Sequence, residues 1–254
     1  MATEFSVDGL TVQVYENRAA LGGAAAYAVA VKINELLTQQ EFVNMIFAAA
    51  PSQNEFLAYL IQKDVEWERI NAFHMDEYIG LPDTAPQQFG SFLRERLFDL
   101  LSFHSVNYIN GNAADLNAEC IRYENLLKKY PPDIVCMGIG ENGHIAFNDP
   151  HVADFNDFYE VKIVELDEFC RQQQVNDGCF DMLENVPTHA LTLTIPALMS
   201  GKHIYCMVPG KNKANAIRHC LSGEIIEQWP ASILRKHSDA VLYLDADSSS
   251  LLKH

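Results

Sequence analysis

Ile134-Val-Cys-Met-Gly-Ile-Gly-Glu-Asn-Gly-His-Ile-Ala-Phe-Asn-Asp-Pro150 begins as a strand and ends as a turn carrying a proton-handling pair. The four leading residues are apolar and follow Pro131-Pro132, which suits a short, buried strand. Gly138, Gly140 and Gly143 then let the backbone turn tightly and approach a ligand closely. His144 and Asp149 lie just beyond the turn, and open α/β sheets bind ligands at the carboxyl ends of their strands. The stretch reads as an active site on such a sheet.

On either side of it, apolar runs alternate with helical patterns. Strands are expected at 10–15, 42–49, 70–75, 106–109, 161–164, 190–194, 204–208 and 240–244. Helices are expected at 17–39, capped by Asn17 and interrupted at Gly22-Gly23, and at 54–62, 89–101, 117–129 and 212–221. This alternation predicts an α/β fold, a mostly parallel sheet with helices on both faces, in a single domain over 1–254. Residues 151–186 are the least regular and are a candidate lid or insertion.

Eighteen Lys and Arg stand against 34 Asp and Glu, a formal net charge of −16, which argues against a nucleic-acid partner. An anionic substrate would need a local cluster of positive groups, because the overall field repels it. No apolar run is expected to reach the roughly 18 residues of a membrane span. The N-terminal residues lack the basic flank and apolar core of a secretory signal. The six cysteines include no C-x-x-C pair and read as free thiols, so the expected location is cytoplasmic.

Gly138-x-Gly-x-x-Gly143 superficially matches a dinucleotide fingerprint, but it lies past mid-chain. Pro150 follows seven residues after the last glycine and prevents the long helix that motif requires. His144 is better read as a catalytic acid/base oriented through one ring nitrogen by Asp149 and Asn142. A second cluster, Phe73-His-Met-Asp-Glu-Tyr-Ile-Gly-Leu-Pro82, ends a strand with two carboxylates. Adjacent strand residues point to opposite faces, so only one of Asp76 and Glu77 is expected to face a substrate. Such a carboxylate suits proton abstraction next to a carbonyl; otherwise the pair is ordinary strand-end solvation.

Those two segments, with Val186-Pro-Thr-His-Ala-Leu-Thr192, Gly210-Lys-Asn-Lys-Ala214, Asn110-Gly-Asn112 and Ala118-Glu-Cys-Ile-Arg-Tyr-Glu124, resemble glucosamine-6-phosphate deaminases, also called isomerases. The resemblance runs in order along nearly the whole chain. It implies a modified Rossmann-like fold and an amino-sugar-phosphate isomerase/deaminase that makes a ketose phosphate and ammonia without metal or other cofactor. It gives Asp76 the role of base between C2 and C1, and His144 that of ring-opening acid/base. Asp149 stands where the family usually has a glutamate, and Asn142 where many members carry an aspartate. The substrate contacts it implies are Ser52, Glu77, Gly140, Gly143, Arg171 and Lys213, around a small-molecule sugar phosphate. Lys213 matches the family's phosphate lysine, though by itself it could be a solvated helix-start residue. A homo-oligomer is compatible with the family, whose members range from monomers to hexamers.

The departures cluster at the phosphate end. The family's loop after the second strand resembles Thr-Gly-Gly/Ser-Thr-Pro and holds phosphate through backbone amides and hydroxyls. Here it reads Ala48-Ala-Ala-Pro-Ser-Gln-Asn54, and Pro51 has no amide hydrogen. The family's phosphate arginine has no clear counterpart: Arg171 matches the first arginine of that segment, while Asn176 or Asp177 occupies the position of the second. Losing one charge-assisted contact costs about ten- to hundredfold in affinity. Two other readings follow from these features: a 6-phosphogluconolactonase-like hydrolase, which usually lacks the Met-Asp-Glu-Tyr pattern, and a catalytically weak sugar-phosphate sensor.

Overall fold

In the computed structural model, which describes residues 2–252, the chain opens with a hairpin of β1 (Thr3–Val7) and β2 (Leu10–Tyr15). Asn17 caps α1 (Arg18–Leu37), its side chain accepting from the Ala20 amide. β3 (Val43–Phe47), α2 (Asn54–Leu60), β4 (Ile70–His74) and the short β5 (Asp76–Tyr78) follow. Next come α3 (Phe89–Leu93), β6 (Ser105–Asn107), α4 (Leu116–Lys129) and β7 (Ile134–Met137). Then come β8 (Val161–Glu165), α5 (Glu168–Asn176), β9 (His189–Leu193) and α6 (Ile195–Met199). β10 (His203–Val208), α7 (Ala214–Ser222) and β11 (Ala240–Asp245) complete the order.

The main sheet runs β1-β2-β11-β10-β7-β3-β4-β6, parallel throughout except for the β1–β2 hairpin. β7 is buried along its whole length, as its unbroken apolar run predicts. Val135 and Met137 pack with α4 and α7, while Ile134 and Cys136 pack with α1 and α2 on the other face. From β3 the chain moves outward to β4 and β6, then returns to place β7 on the other side of β3. This reversal opens a crevice between the carboxyl ends of β3 and β7, where the loops starting at Ala48 and Gly138 emerge.

Three expectations need correction. The strands foreseen near 161–164 and 190–194 exist, but they form a separate antiparallel sheet, β5-β9-β8. The unforeseen β5 starts that sheet two residues after β4 ends. α1 runs unbroken through Gly22-Gly23, because a Cβ on Gly22 would stand 2.7 Å from the Glu55 Cβ. The glycine there permits close approach of α2 rather than a break. α1 is also twenty residues long with a mean hydropathy of 1.2, enough by length and composition for a membrane span. It is a core helix: Leu21, Ala25, Val29 and Ile33 are buried with residues of β3, α2 and β11.

Candidate active site

β4 ends at His74, whose imidazole fixes the backbone that follows. Its Nδ1 bonds the Asp76 carbonyl oxygen at 2.9 Å, while Nε2 accepts from the Ile109 amide at 2.9 Å. The ring is therefore neutral with its proton on Nδ1, and burial lowers its pKa to about 4. The Tyr123 hydroxyl adds a bond to the His74 carbonyl oxygen and receives one from the His74 amide. Asp76, first residue of β5, thus stands at the joint between the two sheets and lines a cavity in the crevice. Burial, with help from the adjacent Glu77 charge, raises its pKa well above the usual carboxylate range.

Glu77 points the other way, as strand alternation requires. Its carboxylate accepts from the backbone amides of Tyr78, Phe89 and Gly90 at 2.9–3.0 Å. Expected as a substrate contact, it does not line the cavity and instead anchors the start of α3 to β5. Burial pushes its pKa up to about 7 despite the three donors.

His144 lines the same cavity as Asp76. Its Nδ1 lies 2.8 Å from Asn142 Oδ1 and 2.9 Å from Asp149 Oδ1. Both neighbours are acceptors, so Nδ1 carries a proton and Nε2 is left for a substrate. Asn142 Nδ2 donates to Asp149 Oδ1 at 2.7 Å, closing a triangle around the ring nitrogen. Burial alone would raise the pKa of Asp149, but His144 and Asn142 hold it down at about 2. Gly140 is flat against the imidazole, since a Cβ there would come within 2.1 Å of His144 Cε1. Phe147 N bonds Thr192 Oγ1 at 3.0 Å and Asn148 Nδ2 bonds the Leu193 carbonyl oxygen at 2.9 Å, pinning the loop to β9.

Ser52, Lys213, Arg18, Gln173, Gln174 and Asp177 line the same cavity. Lys213 is only 6% exposed, which rules out the solvated helix-start role. Burial lowers its pKa, and its ammonium makes no hydrogen bond or ion pair among the described residues. Gln173 Oε1 accepts from the Glu141 amide at 2.9 Å and so ties α5 to the glycine-rich loop.

Two further residues expected as contacts also lie off the cavity lining. Arg171 donates to the carbonyl oxygens of Leu183 and Val186 at 2.7–3.2 Å and does not reach the cavity. The face of α5 that turns inward carries Gln173 and Gln174, and Arg171 lies off that face. Gly143 also falls outside the lining; its φ of +85° makes it the residue that turns the loop. Sequence reasoning missed Arg18, Gln173 and Gln174. The Arg171-Gln-Gln-Gln174 run, in the segment resembling the family's phosphate arginines, was the available signal for the two glutamines. Arg18 offered none.

The sequence profile of the family described as glucosamine-6-phosphate isomerases/6-phosphogluconolactonase matches residues 16–243. A glucosamine-6-phosphate deaminase of Bacillus cereus is 36% identical over 219 residues, covering 86% of this chain and 82% of its own length. A Streptococcus sanguinis protein of the same description is 36% identical, covering 82% of this chain and 86% of its own. Among solved structures, a monomeric glucosamine-6-phosphate deaminase superposes with a TM-score of 0.87 at 32% identity, over 94% of this chain and 99% of that one. A 6-phosphogluconolactonase from Thermotoga maritima shares the fold, with a TM-score of 0.76 at 19% identity over 93% of this chain and 99% of that one.

Proposed function

The chain belongs to the glucosamine-6-phosphate isomerase/6-phosphogluconolactonase family, and on that premise we propose that it is an amino-sugar-phosphate isomerase and deaminase. The substrate is glucosamine 6-phosphate or a close epimer, and the products are the ketose 6-phosphate and ammonia. One observation carries the reading: Asp76, at the start of β5, and His144, on the loop after β7, line one cavity together with a buried lysine that is unpaired among the described residues.

In the proposed mechanism the sugar ring opens first. His144 Nε2 takes the anomeric hydroxyl proton and returns it to the ring oxygen, while Asn142 and Asp149 hold Nδ1 and offset the imidazolium charge. Asp76 then removes the C2 proton and delivers it to C1. The burial that raises the proton affinity of Asp76 narrows the gap to a carbon acid. The C–N unit at C2 becomes an imine, which water hydrolyses to a ketone with release of ammonia, so atoms balance without an oxidant or reductant. All six cysteines are free thiols, in keeping with the cytoplasmic location that belongs to this proposal.

The test is ammonia release from glucosamine 6-phosphate and its galacto epimer. Asp76→Asn is expected to abolish exchange of the C2 proton with solvent deuterium while sugar phosphate still binds. Hydrolysis of 6-phosphogluconolactone without ammonia release from either amino sugar would overturn the reading.

A further inference from the structure

The cavity lining has no arginine from the α5 segment, where the resemblance places a second one, and Asp177 lines it instead. Another cation has come in from a distant part of the chain. Arg18, the first residue of α1, lines the same cavity as Ser52 and Lys213. Its Nε and Nη2 bond the two Glu55 oxygens at 2.8 and 3.0 Å, and Nη2 also donates to the Pro51 carbonyl oxygen at 3.0 Å. A guanidinium gripped on one edge presents the other in a fixed direction. Nη1 takes part in none of these bonds and lies toward Gly210, 3.9 Å from where a Cβ on that residue would stand. Gly210 opens the turn that carries Lys213. The tight α1–α2 contact at Gly22 holds Arg18 and Glu55 in register.

Resting on the reading above, we infer that Arg18 is a specificity-determining residue that binds the phosphate of the substrate together with Lys213 and Ser52. Lys213 supplies a buried, unpaired charge, and Arg18 supplies directed N–H donors. Asp177 works against them, since a carboxylate on the cavity wall repels a dianion. The chain thus exchanges a cation on α5 for one on α1, with the remaining acid setting a ceiling on affinity.

Kinetics and calorimetry on Arg18→Gln and Asp177→Asn, each with glucosamine 6-phosphate and with unphosphorylated glucosamine, test this. Arg18→Gln is expected to raise KM and Kd for the phosphorylated sugar about ten- to hundredfold, with kcat changed little. Binding of the unphosphorylated sugar should be unaffected. Arg18→Lys should recover part of the loss, and Asp177→Asn should tighten the phosphorylated sugar severalfold. The inference is overturned if wild type and Arg18→Gln discriminate equally between the two sugars, or if wild type shows no preference for the phosphorylated one. Calorimetry reads both outcomes without turnover. Absence of ammonia release from a wild-type protein that binds the sugar phosphate would instead count against the catalytic reading alone.

Discussion

At the scale of single residues, the site depends on an imidazole that cannot turn. Asn142 Oδ1 and Asp149 Oδ1 hold one edge of His144, and the bare α-carbon of Gly140 lies against the ring. Gly140→Ala would put a methyl group 2.1 Å from Cε1, so the ring must move and the cavity loses Nε2 from its working position. Misplacing a reacting group by about 1 Å costs on the order of a hundredfold in rate. The expected outcome is a kcat lowered by that order with the KM for sugar phosphate nearly unchanged. Steady-state kinetics on Gly140→Ala checks this, and a kcat within a factor of about three of wild type would show that Gly140 does not constrain the ring. His144, Asp149, Asn142 and Asp76 were legible in the sequence because each lies within a short segment dense in glycine and acid. Arg18 was not, because its partners Glu55 and Pro51 are more than thirty residues away in sequence. That Glu77 and Arg171 lie off the cavity lining was not legible, because side-chain type tells nothing of direction; the one meets three backbone amides and the other two carbonyls.

At the scale of elements, the Gly22-Gly23 pair shows how one helix tolerates two glycines for different reasons. Gly22 faces α2, and a Cβ there meets Glu55 Cβ and backbone atoms at 2.7–2.8 Å, which cannot yield without separating the helices. Gly23 faces the Tyr59 ring at 3.7 Å, an ordinary contact distance. Helix propensity favours alanine over glycine by about 0.8–1 kcal/mol at either position, whereas overpacking costs about 1–3 kcal/mol. Gly23→Ala is therefore expected to raise the Tm, and Gly22→Ala to lower it and to raise the KM for sugar phosphate by disturbing Glu55 under Arg18. Thermal unfolding of both variants checks the sign; a common direction would break the argument. The pair read as an interruption because sequence pattern cannot distinguish a break from a close approach. α5 was missed for a related reason: its Glu-Phe-Cys-Arg-Gln-Gln-Gln-Val-Asn sequence shows no apolar stripe, and only the Asp167 cap marks its start. The parallel strands were legible because strands buried on both faces read as unbroken apolar runs. The antiparallel sheet was not, because its first strand is three residues long.

At the scale of the whole molecule, the geometry of the candidate site relies on the junction between the two sheets, and His74 is the group at that junction. It joins the end of β4 to the Asp76 carbonyl oxygen and receives the Ile109 amide. Receiving that amide requires an unprotonated Nε2. In the unfolded chain the imidazole protonates near pH 6.5, but in the folded protein only near pH 4, because burial disfavours the charge. Between those values the unfolded chain binds the extra proton. The stability due to a neutral His74 is therefore complete above pH 6.5 and is lost as pH falls through about 4. A displacement of that size corresponds to on the order of 3 kcal/mol, a large share of a typical domain's stability. Asp149 has the same sign at lower pH: its depressed pKa keeps stability intact above 3.8 and releases it as pH falls toward 2. Glu77 and Asp76, both raised by burial at the same junction, have the opposite sign and gain stability as pH falls, so the His74 contribution is read as a difference between wild type and a His74 variant. Denaturant titrations of wild type and His74→Gln at pH 7 and pH 4 measure this. The variant is expected to be less stable at pH 7, with a loss between the two pH values smaller than that of wild type by on the order of 3 kcal/mol. An equal loss in both proteins would remove His74 from the acid response.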